Sequence, residues 1–113
     1  MSKKIVFVLS LFVLALAACA PRAAGSGDLP AAVQEAQAWL AERLGVAVED
    51  VVVLESEEVD WRDGCLELGG PAESCLAAIT PGWLVSFEVD GETYVVHTDA
   101  DGSQIRLNEN PGS

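Results

Sequence analysis

The apolar residues between positions 31 and 45 recur with a helical period. Four of them fall at offsets of 0, 3, 7 and 11 and therefore share one face of an α-helix: Val33, Ala36, Leu40 and Leu44. Asp28, followed by Leu29-Pro30, is typical of a helix start with an acidic N-cap and an early proline. Gly45 is the expected C-terminal stop. The pattern predicts one amphipathic helix.

A continuous apolar stretch follows this predicted helix. Residues 51–54 read Val-Val-Val-Leu, a composition that favours a strand. The charged residues 55–58 interrupt the apolar run, and Val59 and Trp61 then alternate with acidic residues. The pattern indicates either one long strand with a bulge near Ser56 or two strands joined there.

The clearest local pattern lies between Trp83 and Thr98. Apolar residues alternate before Asp90-Gly91, a dipeptide that favours a two-residue hairpin turn because both positions need positive φ. Pairing across this turn sets four pairs of residues opposite each other: Val89 and Glu92, Phe87 and Tyr94, Val85 and Val96, and, on the other face, Leu84 and His97. We expect the helix to pack on the large apolar face, which carries Val85, Phe87, Val89, Tyr94 and Val96.

A second turn at Asp101-Gly102 leads into a short strand predicted over residues 104–107. The order of elements predicts an α+β fold. In this fold one N-terminal helix packs on a twisted antiparallel sheet of about four strands, with a disulfide-pinned loop. We expect a single domain over residues 28–108 and a frayed tail over residues 109–113.

The start of the chain resembles the signal of a bacterial lipoprotein. Lys3 and Lys4 precede the apolar residues 5–18, a run shorter than the roughly 20 residues that span a bilayer but suited to a signal peptide. It ends in Leu16-Ala17-Ala18-Cys19, which resembles a lipobox. The resemblance implies removal of residues 1–18 and a diacylglyceryl (palmitate) anchor on Cys19. The alternatives are a plain secretory signal and an uncleaved anchor.

The predicted anchor has consequences for location. Residues 20–27 are small and contain Pro and Gly, so residues 19–27 are interpreted as a lipidated Cys19 and a flexible tether. Two acyl chains hold a protein stably to a membrane where one does not. We therefore expect the protein at the cell membrane or the outer membrane, lipid-anchored and facing outside the cytoplasm.

The chain is strongly acidic. It carries 18 Asp and Glu against six Lys and Arg, a net charge of −12. Loss of Lys3 and Lys4 with the signal would leave four arginines and a net charge of −14. Such charge argues against nucleic acid as a partner and against adsorption to anionic lipid. It suits solubility near an anionic cell surface, or alternatively a basic partner or a divalent cation.

Two cysteines remain in the predicted domain, Cys65 and Cys75. Outside the cytoplasm, a pair this close in sequence predicts a disulfide. The alternatives are a metal-binding pair or a redox dithiol. The spacing is not Cys-x-x-Cys, and His97 is distant in sequence.

The organisation resembles the PepSY-like domains of secreted and envelope proteins. The matching segments are Leu44-Gly45-Val46, residues 51–54, residues 83–87, and Tyr94-Val95-Val96 leading into Asp99-Ala100-Asp101-Gly102. This resemblance implies a non-enzymatic role, often inhibition or regulation of an envelope peptidase. Two further segments also resemble an uncharacterised family of small bacterial lipoproteins: Trp61-Arg62-Asp63-Gly64-Cys65-Leu66 and Ile79-Thr80-Pro81-Gly82-Trp83. Residues 62–82, which contain the cysteine pair, depart from the short PepSY core.

Two groups of polar residues are candidate sites. Asp99 and Asp101 suggest calcium, but the flanking His97 and Asn108 do not fit an EF-hand loop, and a turn rich in Asp and Gly is the alternative. His97 and Asp99 share a face, yet no nucleophile accompanies them, so we expect His97 on the solvent face of the sheet. We predict no catalytic set, no metal site and no cofactor.

The long loop of residues 62–82 is the candidate binding surface. It is expected to expose Leu66, Leu68 and Leu76 near the disulfide, flanked by Trp61 and Trp83. Long ordered loops in small domains are often functional. Alternatively, the leucines fold back and cover the edge of the core.

A second surface is acidic. Glu55, Glu57, Glu58 and Asp60 either meet a basic partner or deter edge pairing of a strand. The leading hypothesis is a membrane-tethered, non-enzymatic binding or inhibitory module of the bacterial cell envelope, whose partner is an envelope protein or peptidase. The alternative hypothesis is a lipoprotein whose acidic surface binds a ligand or a cation such as calcium.

Overall fold

A computed structural model describes residues 28–111. One helix, α1 (Ala31–Leu44), is followed by a short 3-10 helix (Val48–Asp50) and four strands: β1 (Val52–Trp61), β2 (Thr80–Val89), β3 (Glu92–Asp99) and β4 (Ile105–Asn108). The strands form one antiparallel sheet in the order β1-β2-β3-β4. The predicted α+β fold class is confirmed. The predicted signal (residues 1–18), Cys19 and the tether to residue 27 lie outside the described residues.

Helix α1 buries the stripe that its sequence predicts. Val33, Ala36 and Leu40 are buried, and Leu44 packs against the same core while half-buried. Gly45 ends the helix in the left-handed conformation, at φ +71°, where glycine has no Cβ penalty. No helix within residues 28–111 is long and apolar enough to cross a membrane.

The start of α1 differs from the prediction. Pro30, not Asp28, occupies the N-cap position, and no side chain caps the helix. The Pro30 carbonyl accepts hydrogen bonds from the backbone N–H groups of Val33 and Gln34, and the Gln34 side chain donates to the Leu29 carbonyl at 2.7 Å. The N-cap position therefore lies two residues beyond Asp28, and the prediction of an acidic cap is wrong.

The β2–β3 hairpin has the predicted register. Val85 pairs with Val96, Phe87 with Tyr94, Val89 with Glu92, and Leu84 with His97. Asp90 and Gly91 both have positive φ, at 52° and 83°, as the two-residue turn requires. The fourth strand begins at Ile105, one residue later than predicted, and Gly102 of the preceding turn has a φ of +81°.

The residues before and after the charged stretch form one strand. β1 runs without a break from Val52 to Trp61, and its register against β2 shifts between Val53 and Glu55. This shift places a bulge at Leu54 and decides between the two alternatives left open by the sequence. Because β1 pairs with β2 alone within the described part of the chain, its outer side is an edge of the sheet.

The two faces of the sheet are covered differently. The face of Val85, Phe87 and Val96 packs against α1 and forms the core, as predicted. The opposite face carries Leu84 and His97. Residues 62–79, named here the disulfide loop, fold back over part of that second face and so create a separate layer.

Candidate functional site

The disulfide loop begins with a tight turn closed by the predicted disulfide. Cys65 and Cys75 are bonded, with their Cα atoms 5.4 Å apart. Between them, Leu66 and Glu67 adopt positive φ, at 58° and 63°, a conformation that is uncommon outside glycine. The Asp63 carboxylate accepts hydrogen bonds from the N–H groups of Cys65 and Glu67, at 2.9 and 3.0 Å. These bonds satisfy the donors of the turn and hold it in shape.

The candidate leucines of the loop are not equivalent. Leu66 is fully buried, so the expectation that it is exposed is wrong. The left-handed turn at Leu66 and Glu67 directs Leu66 back onto the sheet. Leu68 is half-buried, whereas Leu76 leaves 74% of its surface exposed. The loop therefore covers the sheet at one end and presents apolar surface to solvent at the other.

His97 lies beneath the loop and is only 6% exposed. Its ring stacks on Trp61, with the centroids 4.1 Å apart and the planes 10° from parallel. The Trp61 indole N–H donates to the Thr98 carbonyl at 2.8 Å, and Trp61 is itself buried. The expectation that His97 faces solvent is therefore wrong, because Trp61 and the disulfide loop cover that part of the sheet.

The hydrogen bonds and the burial of His97 together favour a neutral ring with its proton on Nδ1. Its Nδ1 lies 2.8 Å from the Leu66 carbonyl oxygen, which can only accept, so Nδ1 carries the proton. Nε2 is then the acceptor of a neutral ring, and the Asn108 amide nitrogen lies 3.5 Å away, a long contact. Burial lowers the pKa of His97. The neutral ring therefore links β3 to the disulfide loop through this hydrogen bond.

An ion pair between Arg106 and Glu73 holds the other side of the disulfide loop. Arg106 of β4 donates two hydrogen bonds to the Glu73 carboxylate, at 2.6 and 2.9 Å, and a longer one to the Leu68 carbonyl. The Arg106 guanidinium lowers the pKa of Glu73 to about 2. Gln104 adds a bond to the Gly64 carbonyl at 3.0 Å. Contacts to β3 and to the segment from Gln104 to Arg106 thus hold the loop.

One stretch of the loop remains outside these contacts. Residues 76–79 are Leu-Ala-Ala-Ile, all of them exposed, and Ile79 leaves 64% of its surface in contact with solvent. The backbone is held at both ends, since the Leu76 carbonyl accepts from the Gly64 N–H at 2.8 Å and Thr80 pairs with Trp61 at the start of β2. We name this stretch the exposed loop segment.

The predicted site residues are divided between two faces of the sheet. Trp61 and Leu66 come together around His97, and Leu76 points to solvent from the same layer. Trp83 lies on the other face, beside the core that α1 covers, and is half-buried. Trp83 is therefore not part of the loop surface.

Trp83 lines a separate cleft of about 340 Å³ at one end of the sheet. Glu58 and Asp60 of β1 also line it, with Pro81 and Ala100. Glu58 is paired with Trp83 and Asp60 with Pro81 across the β1–β2 ladder. We name this feature the Trp83 cleft; it combines an indole with two carboxylates.

The aspartates considered for calcium have local roles in their turn. Asp99 accepts hydrogen bonds from the Ser103 hydroxyl at 2.8 Å and the Gln104 N–H at 3.1 Å. Asp101 accepts from the Ser103 N–H at 3.1 Å, and the Ser103 side chain together with this N–H lowers the pKa of Asp101. These bonds order the connection between β3 and β4.

A second group of ligand-bearing side chains occurs at the disulfide. Ligand atoms of Asp63, Cys65 and Cys75 lie within 4.8 Å of one another. Thiolates bind metals, but here both sulfurs are consumed by the disulfide. The Asp63 carboxylate serves the backbone turn. These three residues therefore stabilise the turn of the disulfide loop.

Three residues that shape the site were not singled out from the sequence: Ile79, Glu73 and Arg106. Ile79 had a visible signal, since it is an apolar residue at the end of a loop and directly before a predicted strand. The Glu73–Arg106 pair had none, because its members are 33 residues apart and meet only through the fold. In the predicted tail, the Glu109 carboxylate lies 3.7 Å from the Arg43 guanidinium and forms an ion pair with it.

Comparison with known protein families places most of the described residues in a family. Residues 33–107 match the family model of a domain of unknown function, DUF8738. The chain belongs to the DUF8738 family. The matched DUF8738 region contains most of α1, all four strands except the last residue of β4, and the entire disulfide loop. No curated protein and no solved structure matches the chain.

Proposed function

We propose that this protein is a membrane-tethered, non-enzymatic binding or inhibitory module of the bacterial cell envelope. It is held by a lipid on Cys19 and contacts its partner through the exposed loop segment and the adjoining edge of β1. The observation that carries the proposal is the outward position of Leu76 and Ile79 on an otherwise fastened loop. The partner is an envelope protein, and the PepSY resemblance favours a peptidase.

The exposed loop segment has the energetics expected of a contact surface. Burial of a Leu or Ile side chain contributes about 1.5–3 kcal/mol relative to leaving it in water, so Leu76 and Ile79 offer a partner favourable burial. The disulfide at Cys75 and the hydrogen bond at Leu76 restrict the segment beforehand. A restricted loop loses little conformational entropy when it binds, which favours affinity.

The anchor rests on the N-terminal sequence. Lys3 and Lys4, the apolar residues 5–18 and Leu16-Ala17-Ala18-Cys19 support lipidation at Cys19. The tether predicted from the sequence over residues 19–27 has an expected reach of roughly 15–20 Å. The partner is therefore itself at the membrane or close to its surface.

A paired substitution tests the contact surface. In cells that express the protein naturally, the double variant Leu76→Ser/Ile79→Ser should lose an envelope partner that the unchanged protein captures by crosslinking and mass spectrometry. Val48→Ser is the matched control, since Val48 is also exposed but lies in the 3-10 helix. A folded double variant that keeps every partner would show that the exposed loop segment is not the contact surface.

A separate experiment tests the anchor. Labelling of the cells with a palmitate analogue should mark the protein, and Cys19→Ala should abolish both the label and the association with membranes. A cleaved, unlabelled protein released from the unchanged gene would indicate a plain secretory signal. In that case the binding surface stands and the tether does not.

A further inference from the structure

We propose that the outer edge of β1 binds an extended basic segment of a partner protein, with one Lys or Arg side chain in the Trp83 cleft. This inference rests on the proposed function and names the chemical class of its partner. It uses a part of the molecule next to the exposed loop segment, since β2 begins directly after Ile79 and pairs with the end of β1.

The outer side of β1 provides a backbone template. β1 is ten residues long and pairs only with β2 among residues 28–111. An edge strand presents unpaired N–H and C=O groups, and an extended peptide binds such groups by adding a strand. The bulge at Leu54 interrupts the regular register at one end. The regular part, residues 55–61, is seven residues long and can pair with a peptide of similar length.

The Trp83 cleft provides a site for a cationic side chain. An ammonium or guanidinium group is attracted to the face of an indole ring and forms charge-assisted hydrogen bonds with carboxylates. Trp83, Glu58 and Asp60 line the same cleft of about 340 Å³. Because Glu58 and Asp60 belong to β1, a peptide paired with β1 passes this cleft.

The other two tryptophans already have partners within the chain. The Arg43 guanidinium lies 5.2 Å from the ring centroid of Trp39, and Trp61 stacks on His97. Trp83 has neither a cation nor a stacked ring within the described residues. The Trp83 cleft therefore offers an indole ring like that of Trp39, but no cation of the described residues occupies it.

The charges of the domain favour a basic occupant. Each arginine in residues 28–111 pairs with a carboxylate elsewhere: Arg43 with Glu109, Arg62 with Glu67, and Arg106 with Glu73. The same range contains no lysine. The four acidic residues on the regular part of β1 are left without an internal cation: Glu55, Glu57, Glu58 and Asp60. They attract a basic strand and repel a second copy of β1.

Titration with synthetic peptides tests this inference on the full chain in detergent. The probe is the heptapeptide Lys-Val-Lys-Thr-Arg-Val-Lys, with blocked ends. Amide signals of β1 and the indole N–H of Trp83 should shift in heteronuclear NMR spectra. Replacement of the central Thr by Pro should weaken binding at least tenfold, because proline removes a backbone donor and restricts the chain. A peptide with Glu at every basic position should not bind.

Charge-neutralising variants locate the site on the protein. Glu58→Gln/Asp60→Asn should weaken binding of the basic peptide at least tenfold in calorimetry. The control Asp90→Asn/Glu92→Gln removes the same charge at the exposed turn between β2 and β3, at the far end of the sheet, and should change affinity less than twofold. Thermal unfolding of each variant checks that the fold is retained.

Two results would overturn the inference. One is equal binding of the basic and the proline-containing peptides, which indicates general electrostatic attraction. The other is an absence of shifts in β1 and Trp83. If neither β1 nor Trp83 responds while the Leu76→Ser/Ile79→Ser variant still loses a captured envelope partner, the proposed binding function stands through the exposed loop segment alone, and the β1 edge is not a recognition surface. If the peptide binds but no partner is captured, the edge assignment stands and the proposed function fails.

Discussion

His97 is held by groups from three separate parts of the chain. Trp61 of β1 stacks on its ring, the Leu66 carbonyl of the disulfide loop accepts a hydrogen bond from its Nδ1–H, and Asn108 of β4 lies near its Nε2. A protonated ring would place a second donor where Asn108 offers its own amide nitrogen, and would bury a charge. The neutral form is therefore part of the folded structure.

Replacement of His97 by Phe should reveal this coupling. The variant keeps an aromatic ring against Trp61 but leaves the Leu66 carbonyl unsatisfied, a loss of about 1–3 kcal/mol in the free energy of unfolding at pH 7.5. Burial lowers the native pKa of His97, so the unfolded chain binds the proton more readily and wild-type stability declines as pH falls below about 6.5. The variant lacks this decline.

Urea unfolding at pH 7.5 and pH 5.5 measures both effects. The difference in stability between wild type and His97→Phe should be smaller at pH 5.5 than at pH 7.5. His97 is the only histidine of the chain, so no second imidazole contributes. A difference that is equal at the two pH values would mean that His97 is not held neutral.

Gly82 provides the second prediction at this scale. A Cβ at this position would collide with the Thr98 carbonyl and would lie 2.6 Å from the Trp61 indole nitrogen. Gly82→Ala should therefore displace the Trp61–Thr98 hydrogen bond and destabilise the protein by about 3 kcal/mol in urea unfolding. In the control Gly70→Ala, the nearest atom is 3.8 Å away, and a change within about 0.5 kcal/mol is expected. Similar losses in both variants would contradict the close approach.

These single-residue features were only partly predictable. The sequence places Trp61 beside the candidate loop, but the contact that covers His97 comes from a carbonyl 31 residues earlier in the chain. The turn that brings this carbonyl to His97 has positive φ at Leu66 and Glu67, where no glycine or asparagine signals it. Tertiary contacts, which a local pattern does not encode, decide such positions.

At the scale of elements, the disulfide loop behaves as a third layer on a two-layer fold. One end is fixed by Cys65–Cys75 and the turn at Asp63, and the other side by Arg106 and Glu73. In a domain this small the core provides limited stability, and a covalent link therefore contributes a larger share of the total than it would in a large protein.

Removal of the disulfide tests how much the loop depends on it. In the chain-entropy model a loop of ten residues contributes about 2.7 kcal/mol at 25 °C. Cys65→Ala/Cys75→Ala should lower the free energy of unfolding by about this amount and increase hydrogen exchange of the Leu66 and Leu68 amides. Amides of the β2–β3 hairpin, which α1 covers, should lose no more protection than the fall in global stability accounts for. A rise in exchange across the hairpin as large as that in the loop would show that the loop is not a separate layer.

The elements also show which parts of the fold follow from local sequence. The sequence predicts the buried face and the end of α1, and the register of the β2–β3 hairpin. These features follow from the helical period, Gly45 and Asp90-Gly91, which act over a few residues. The local sequence does not determine the course of β1, since its bulge depends on pairing with β2 about 30 residues later. The bulge lies at Leu54, two residues before the position that the charge pattern suggested.

At the scale of the whole molecule, the excess of negative charge destabilises the folded state. Residues 28–111 contain all 18 acidic residues but only three arginines. The arginines form exposed or partly exposed ion pairs, and each such pair contributes roughly 0–1 kcal/mol. Mutual repulsion among the remaining carboxylates destabilises the compact state.

Salt should therefore stabilise this protein. The Debye length falls from about 30 Å at 0.01 M to about 8 Å at 0.15 M ionic strength, which screens repulsion across the domain more than it weakens the close ion pairs. A gain of about 1 kcal/mol corresponds to a rise in melting temperature of roughly 4–8 °C. Calorimetry in sodium chloride and in potassium chloride should give the same rise, since screening is not specific to one cation.

The variant Glu55→Gln/Glu57→Gln should have a higher melting temperature than the unchanged protein at low salt, and its melting temperature should rise less on salt addition. A melting temperature that falls with salt would mean that the three arginine pairs outweigh the repulsion.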